Sequence, residues 1–338
     1  MRLLNYDIED DSFYLFTCAE LRAREAEFLD KSKIDRILKS GGPDEFTRAL
    51  RDTVYAGYVN EIENSGSLEA VINSECKNAI NLLAKRLKHE HLPAGELLFF
   101  EENLHNIKVV IKSIILDSDL EKLFIPLDYS YGELRNAAAA GSHENLSQSI
   151  SGTLKFAVEI MKKQKNHQIL EFEIEKFYLQ EIYSSIKKIN SRLIMDYLKH
   201  VIDILNIKNI YRSKYLKGDL DFSYFLHDNG FFPVEFMWKF KDESPDFFLK
   251  KLEQTDYADI VIKGAHALNS QSSFASFEKE EDLFYIDLFD PLKYTVSNVE
   301  IIFQFFLRKK MELKYLNIIF AGILYGIDIE EIKNKVEV

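Results

Sequence analysis

The chain is predicted to be all-helical, with three helical-bundle repeats arranged with pseudo-threefold symmetry as a funnel-like body or a triangular one. Three observations predict this class. Apolar side chains recur at three- and four-residue spacings, which cover one face of a helix. Thirteen glycines and six prolines in 338 residues are too few for a sheet built from many tight turns. Finally, a set of landmarks recurs in the same order along the chain at a period near one hundred residues.

The landmarks are a helix start, a threonine eleven residues later, a closing segment and a final aspartate. The helix starts are Gly42-Pro43-Asp44-Glu45, Ser142-His143-Glu144-Asn145 and Ser244-Pro245-Asp246-Phe247, and the threonines are Thr53, Thr153 and Thr255. The closing segments are Asn106-Ile107-Lys108, Asn206-Ile207-Lys208 and Tyr315-Leu316-Asn317, and the aspartates are Asp119, Asp219 and Asp328. Chance similarity between amphipathic helices would not preserve these offsets, so we predict repeats at residues 1–118, 119–218 and 219–338.

Each repeat is predicted to contain a short helix, a helix from the landmark start through the threonine, a middle helix and a long closing helix. The middle helices are predicted at residues 68–88, 170–189 and 277–288, and the closing helices at 93–116, 191–216 and 296–325. Prolines are expected in the first turns, where a missing N–H is tolerated, at Pro43, Pro93, Pro245 and Pro291. Ser244 and Asp290 are candidate N-caps, and the polar run 269–273 is predicted to be a loop.

Composition excludes several classes of protein. A net charge of −12 argues against non-specific nucleic-acid binding, which needs a basic surface. The amino terminus lacks the apolar core of a signal peptide. The most apolar stretch, residues 318–327, is well short of the roughly 20 residues that span a bilayer, so we expect no membrane crossing. Cys18 and Cys76 form no metal-ligand pattern and indicate a reducing compartment.

No residue pattern points to catalysis. His89 and His91 lie two positions apart, so they face different sides of a helix and are interpreted as a solvated helix end. The acidic run 278–282 lacks the alternating ligands and glycine of a calcium loop. Phosphate-binding loops, nucleophile elbows and dinucleotide fingerprints are missing from the sequence. The repeated aspartates are interpreted as helix caps. We therefore expect no catalytic residue, no cofactor and no metal.

Three segments carry a resemblance to one known family. The run at residues 305–319, followed by Gly322, Leu324, Gly326 and Ile332, resembles the closing helix of that family. Leu21-Arg22-Ala23-Arg24, followed by Leu29, is similar to its first helix. Residues 103–108 resemble its repeat-one signature, with Asn103 where the family usually has aspartate, whereas the second repeat keeps Asp203. Together these segments resemble the C/d family of V-type ATPase subunits.

The resemblance implies a non-catalytic rotor component of the central stalk. Such a protein sits on the cytoplasmic face of the membrane, on the ring of proteolipid subunits, and receives the foot of the central shaft of the soluble head. It would couple the shaft to the ring during ATP-linked proton or sodium transport, as a peripheral protein that binds no nucleic acid.

Matching motifs give four candidate partner-binding residues: Arg22, Arg24, Arg308 and Glu312. Arg308 and Glu312 lie four apart on one helix, so they either pair with each other or contact the shaft. Arg22 and Arg24 lie two apart and cannot share a face, so at most one of them should line a socket.

Two other functions stay open at this point. One is a helical adaptor or scaffold of another complex that shares only the triplicated architecture. The other is an all-helical enzyme with a diffuse site, which would need a concave pocket with titratable groups of perturbed pKa at positions that break the threefold pattern.

Overall fold

The computed structural model describes residue 6 and residues 8–141, 144–215, 225–240, 243–271 and 275–336. Within these ranges every regular element is a helix and none is a strand, which confirms the predicted all-helical class. None of the helices found there combines the length and the hydropathy that a transmembrane span requires.

The α-helices follow one another closely along the chain. They are α1 Leu15–Arg24, α2 Lys31–Leu38, α3 Pro43–Leu50, α4 Val59–Ser65, α5 Glu69–Arg86, α6 Leu92–Leu98, α7 Phe100–Ile115, α8 Tyr131–Ala140, α9 Gln148–Ile160, α10 His167–Ile186, α11 Arg192–Tyr215, α12 Val234–Trp238, α13 Pro245–Leu252, α14 Ala258–Gln271, α15 Ala275–Leu288, α16 Val299–Leu324 and α17 Ile329–Lys335. Short 3₁₀ helices include Ser12–Tyr14, Glu25–Glu27, Ala56–Tyr58, His89–His91, Glu121–Leu123 and Asp290–Tyr294.

The chain divides into two compact units. Unit 1 contains Met1–Ala79 and Leu249–Val338, and unit 2 contains Ile80–Phe248. The division into three repeats at residues 1–118, 119–218 and 219–338 stays a prediction.

Helix α16 is the centre of unit 1. Residues 299–303 and 305–307 are all buried, so every face of its first two turns is covered. Further along, its apolar side chains join a core cluster with α2, α3 and α17. Within that cluster the rings of Phe46 and Phe320 lie 4.9 Å apart.

In unit 2, helix α10 packs against α9, α7 and α6. Phe156 and Phe177 stack with ring centroids 4.3 Å apart, and Phe100 stacks on the buried ring of Tyr178 at 5.2 Å. Aromatic pairs of this kind add stabilisation beyond the area that they bury.

A trio of ionisable side chains also joins elements of unit 2. Glu175 on α10 lies 2.9 Å from Lys108 Nζ on α7 and 3.1 Å from His227 Nε2. Burial alone would raise the pKa of this carboxyl, but the hydrogen bond and charge of His227 and the ammonium of Lys108 lower the pKa of Glu175 to about 2. The carboxylate therefore holds two elements of the unit together.

Two asparagines one hundred positions apart make the same pair of hydrogen bonds. The amide of Asn106 donates to the carbonyl of Ile125 at 2.8 Å and accepts from its N–H at 2.9 Å. The amide of Asn206 does the same with His227, at 2.8 and 2.7 Å. Each closing helix thus holds the chain that follows it by both backbone groups of one residue.

The predicted closing helix at 93–116 is interrupted at Phe99. The backbone there leaves helical geometry, with φ −108° and ψ 27°, and separates α6 from α7. Adjacent residues of a continuous helix point in directions about 100° apart. The turn lets the large side chains of Phe99 and Phe100 both reach the core, where both are buried. The other closing helices, α11 and α16, lie within a few residues of their predicted ranges.

Several predicted helix ends differ in detail. The N-cap of α9 is Ser147, five residues after the predicted start at Ser142, which lies with His143 outside the described residues. Asp290 is the first residue of a 3₁₀ helix and not a side-chain cap. Residues 269–271, predicted to be loop, form the end of α14, and residues 272–273 lie outside the described residues.

Other predicted caps agree with the structure. Asp328 is the N-cap of α17 and accepts from the N–H of Glu330 at 2.8 Å. Ser244 accepts from the N–H of Phe247 at 3.2 Å. Asp119, by contrast, accepts from the N–H of Glu121 but precedes Leu120, which is the N-cap of the 3₁₀ helix Glu121–Leu123, so it is not the predicted cap. Asp219 lies outside the described residues.

Candidate functional site

All four candidate residues lie in unit 1, on α1 and α16. Helix α1 ends at Arg24 and is followed by the 3₁₀ turn Glu25–Glu27, after which the backbone becomes extended at Phe28. On α16, the residues at 305, 308, 309 and 312 have helical spacings of three, four and seven and so share one side of the helix. Contacts between these two segments form the site.

Glu312 is the most buried of the candidates, with 8% of its side chain exposed. Its Oε2 accepts from the backbone N–H of Leu29 at 2.5 Å. Its Oε1 accepts from the hydroxyl of Tyr55 at 2.5 Å and lies 3.3 Å from Lys309 Nζ. A buried carboxylate is costly unless such partners satisfy it. Both oxygens of Glu312 therefore act as crosslinks inside unit 1.

Lys309 joins this carboxylate to a second one. Its Nζ donates to the hydroxyl oxygen of Tyr55 at 2.7 Å and lies 3.5 Å from Glu75 Oε2 on α5. The ammonium also sits 4.4 Å from the centroid of the Tyr55 ring, a cation–π distance. Burial, followed by the charge of Glu312, raises the pKa of Tyr55, which keeps its hydroxyl protonated as a donor.

Arg308 pairs with Glu25, not with Glu312 as the four-residue spacing suggested. Its Nη1 lies 3.9 Å from Glu25 Oε1, and the same oxygen is 3.0 Å from Arg22 Nη1. Arg22 also donates from Nη2 to the carbonyl of Leu292 at 3.0 Å. The predicted pair of Arg308 with Glu312 is wrong because Glu312 instead accepts from three other donors. These are the N–H of Leu29, the hydroxyl of Tyr55 and the ammonium of Lys309.

Two aromatic rings, Phe28 and Phe305, lie against the guanidinium groups of Arg308 and Arg24. The guanidinium of Arg308 lies 4.8 Å from the centroid of the Phe28 ring, and that of Arg24 lies 5.7 Å from the ring of Phe305. The rings of Phe28 and Phe305 are themselves 5.2 Å apart. Arg24 also lies 3.5 Å from the carboxylate of Glu27. The guanidinium groups thus stack on apolar surface, which costs a guanidinium little because it is weakly hydrated.

Several members of this network were not among the candidates identified from the sequence. They are Glu25, Phe28, Tyr55, Glu75 and Lys309. A signal existed for one of them, since Thr53 and Tyr55 recur as Thr255 and Tyr257. In both turns the threonine hydroxyl donates to the carbonyl three residues earlier, at 2.7 and 2.6 Å, and accepts from the N–H of the tyrosine, at 3.1 and 3.3 Å.

A small cavity of about 250 Å³ adjoins the network. Arg308 and Glu312 line it together with apolar side chains that include Phe28, Met311 and Leu316. Over the ranges that the structure describes, no three His, Cys, Asp or Glu side chains cluster closely enough to hold a metal ion. The arrangement is suited to tying α1, α5 and α16 together and to presenting half-exposed guanidinium groups.

The sequence pattern of a family described as ATP synthase (C/AC39) subunit matches residues 17–335 of the chain. The chain belongs to this family. The match begins within α1 and continues past α16, so all four candidate residues fall within it. The predicted family resemblance is thereby confirmed.

Individual relatives in the family have low sequence identity to this chain but align with most of its length. The C subunit of the A-type ATP synthase from Methanobrevibacter smithii is 26% identical over 290 residues, which are 80% of this chain and 73% of that protein. The corresponding A-type ATP synthase protein of Methanocaldococcus jannaschii is 24% identical, with 95% of this chain and 85% of that protein covered. The C subunit of the A-type ATP synthase from Methanosarcina mazei is 22% identical, and the alignment covers 96% of this chain and 92% of that protein. The similarity to the family therefore extends over almost the full length of this chain.

Proposed function

We propose that this subunit of an A/V-type ATPase is its non-catalytic central-stalk coupler. It would connect the rotating shaft of the soluble head to the proteolipid ring in the membrane during ATP-linked proton or sodium transport. Family membership over residues 17–335 supports the complex. The observation that carries the coupling role is the crosslinking of the buried helix α16 through Glu312 and Lys309.

A coupler must resist shear, because any sliding of its helices would dissipate torque before it reached the ring. Close-packed helices have low compressibility and transmit strain. Hydrogen bonds to charged groups are shorter and stronger than neutral ones. Glu312 and Lys309 place such bonds between α16 and segments at Leu29, Tyr55 and Glu75. In this proposal these bonds stiffen unit 1.

The four candidate residues divide into two proposed roles. Glu312 is buried and has its partners inside unit 1, so we assign it to stiffening the helix contacts. Arg22, Arg24 and Arg308 keep 33%, 39% and 38% of their side chains exposed. Arg308, together with at most one of Arg22 and Arg24, which cannot share a helix face, is proposed to contact acidic side chains of the shaft.

The triplicated architecture is proposed to give the coupler its shape, with repeats at 1–118, 119–218 and 219–338 around a funnel-like body. Two pairs of equivalent contacts support the repeats. Asn106 and Asn206 hold the following chain in the same way, and the threonine turns at Thr53 and Thr255 have the same hydrogen bonds. The protein would then sit peripherally on the cytoplasmic face, against the ring and around the foot of the shaft.

Reconstitution of the complete ATPase in liposomes tests the proposal. ATP hydrolysis and ATP-driven ion uptake are measured with and without this subunit. We expect loss of ion uptake without loss of ATP hydrolysis by the head, and restoration of uptake when the wild-type protein is added back. Pull-down in mild detergent should recover both shaft and ring subunits.

Normal ion uptake by the complex that lacks this protein would refute the coupling role. Stable association with a different complex, and with neither shaft nor ring, would instead support the adaptor function. Turnover of a substrate by the isolated chain would support an enzyme.

A further inference from the structure

A cavity of about 630 Å³ lies within unit 2 and shares no lining residue with the network on α16. Its volume falls in the range of about 300–1,000 Å³ that is typical of small-molecule sites. Much of its lining is apolar and comes from α5, α6, α9 and the residues that directly follow α5 and α6, and it includes Leu83, Leu87, Leu92, Phe99 and Ile150. Such a lining suits the hydrocarbon body of a small organic molecule.

One carboxylate faces this lining from α6. Oε1 of Glu96 accepts from the hydroxyl of Ser149 at 2.5 Å and from the hydroxyl of Tyr178 at 3.1 Å. Burial raises the pKa of Glu96 in spite of these hydrogen bonds, because the charged form is poorly solvated. Among the described residues, no lysine, arginine or histidine forms an ion pair with it.

A second carboxylate lines the same cavity. Burial raises the pKa of Asp128, and the charge of Asp128 in turn adds to the raised pKa of Glu96. A cation beside these two carboxylates would favour their charged forms and so offset the cost of their burial. The basic residues on the lining, Lys188 and His89, are exposed and form no described ion pair with either carboxylate.

We propose that this cavity binds a small organic cation, a primary amine or guanidine with an apolar body. The cationic group would lie between Glu96 and Asp128, where it compensates their charges. The apolar body would lie against Leu83, Leu87 and Ile150. The hydroxyls of Ser149 and Tyr178 would orient Glu96 for this contact. This binding site is separate from the proposed coupling function and does not depend on it.

The test uses three probes of one shape: 4-phenylbutylamine, 4-phenylbutan-1-ol and 4-phenylbutyrate. Their affinities for the full chain are measured by isothermal titration calorimetry at pH 7. We expect the amine to bind about tenfold more tightly than the alcohol, since a charge-assisted hydrogen bond exceeds a neutral one by about that factor. The butyrate should bind most weakly.

Isosteric variants locate the site. Glu96→Gln keeps an acceptor for Ser149 and Tyr178 but removes the charge, so the amine should lose about tenfold in affinity and the alcohol almost none. Asp128→Asn should give a smaller loss in the same direction. Glu159→Gln, an exposed position on α9, is the matched control and should change neither affinity. Thermal unfolding of each variant shows whether it is folded.

Equal binding of amine and alcohol would overturn the proposal, as would equal binding of the amine by wild type and a folded Glu96→Gln variant. Absence of binding by any probe at millimolar concentration would overturn it as well.

Discussion

The carboxylate of Glu312 accepts a hydrogen bond from the backbone N–H of Leu29, a residue 283 positions earlier in the chain. The bond joins α16 to the extended segment before α2, and Tyr55 and Lys309 complete the set of donors. Removal of one partner from such a set leaves the others buried without compensation. The stability of unit 1 should therefore depend strongly on this one side chain.

We expect Glu312→Gln to lower the free energy of unfolding by about 2–3 kcal/mol, because the amide is uncharged and directs one N–H₂ group toward donors. Urea denaturation followed by near-UV circular dichroism measures the change. The control is Glu331→Gln, whose pair with Lys335 is on the surface and should be worth less than about 1 kcal/mol. Equal effects of the two substitutions would contradict the buried crosslink.

The hydrogen-bond pairs made by Asn106 and Asn206 can be compared with an exposed asparagine in the closing segment of the third predicted repeat, Asn317. Asn206→Ala leaves the buried N–H and C=O of His227 unpaired and should cost about 2–3 kcal/mol, and Asn106→Ala should cost less, about 1–2 kcal/mol, because the backbone groups of Ile125 are only part-buried. Asn317 is exposed, so Asn317→Ala should cost less than about 0.5 kcal/mol. Amide hydrogen exchange should show faster exchange at Ile125 in the first variant. Unchanged protection of the Ile125 amide in the Asn106→Ala variant would show that Asn106 does not hold this N–H.

The stability of unit 2 should be acid-sensitive through Glu175. Its pKa is lowered to about 2 from a usual value of 4.5, so the folded state binds fewer protons than the unfolded state between these two pH values. The resulting stabilisation, about 3 kcal/mol, is complete above pH 4.5 and is lost as the pH falls through 2. Denaturation of wild type and Glu175→Gln from pH 7 to pH 2 measures it.

The difference in stability between these two proteins should shrink steadily below pH 4.5. A difference that is the same at pH 7 and pH 2.5 would show that the charge of Glu175 contributes nothing.

Two helical glycines should respond to alanine in opposite directions. A Cβ at Gly264 on α14 would collide with the buried ring of Phe277 on α15, so Gly264→Ala should destabilise by about 1–3 kcal/mol. A Cβ at Gly132 on α8 would meet nothing within 4 Å, so Gly132→Ala should stabilise by up to about 1 kcal/mol through helix propensity. Thermal unfolding midpoints compare them. Stabilisation by both would mean that α14 and α15 do not approach closely at Gly264.

Hydrophobic periodicity and capping chemistry were enough to predict the helices. The middle helices and the closing helices α11 and α16 lie near their predicted ranges, and Asp328 is the expected cap. These features depend on residues within one or two turns of each other, which is the distance over which periodicity and caps act. The family resemblance, which rests on short motifs in order, could likewise be read without coordinates.

Contacts between distant residues could not be predicted in this way. The four-residue spacing of Arg308 and Glu312 suggested a pair, but tertiary packing places Glu25 beside Arg308 and Leu29 beside Glu312. The break in the helix at Phe99 also depends on tertiary packing, because the surrounding core stabilises the burial of the two adjacent rings of Phe99 and Phe100.

The sequence by itself therefore determined the helical class, the positions of most helices and the family, because local spacing sets secondary structure. Only the tertiary structure decided which charges meet, which are buried and where a cavity forms. Those outcomes depend on donors and acceptors that lie as many as 283 residues apart along the chain.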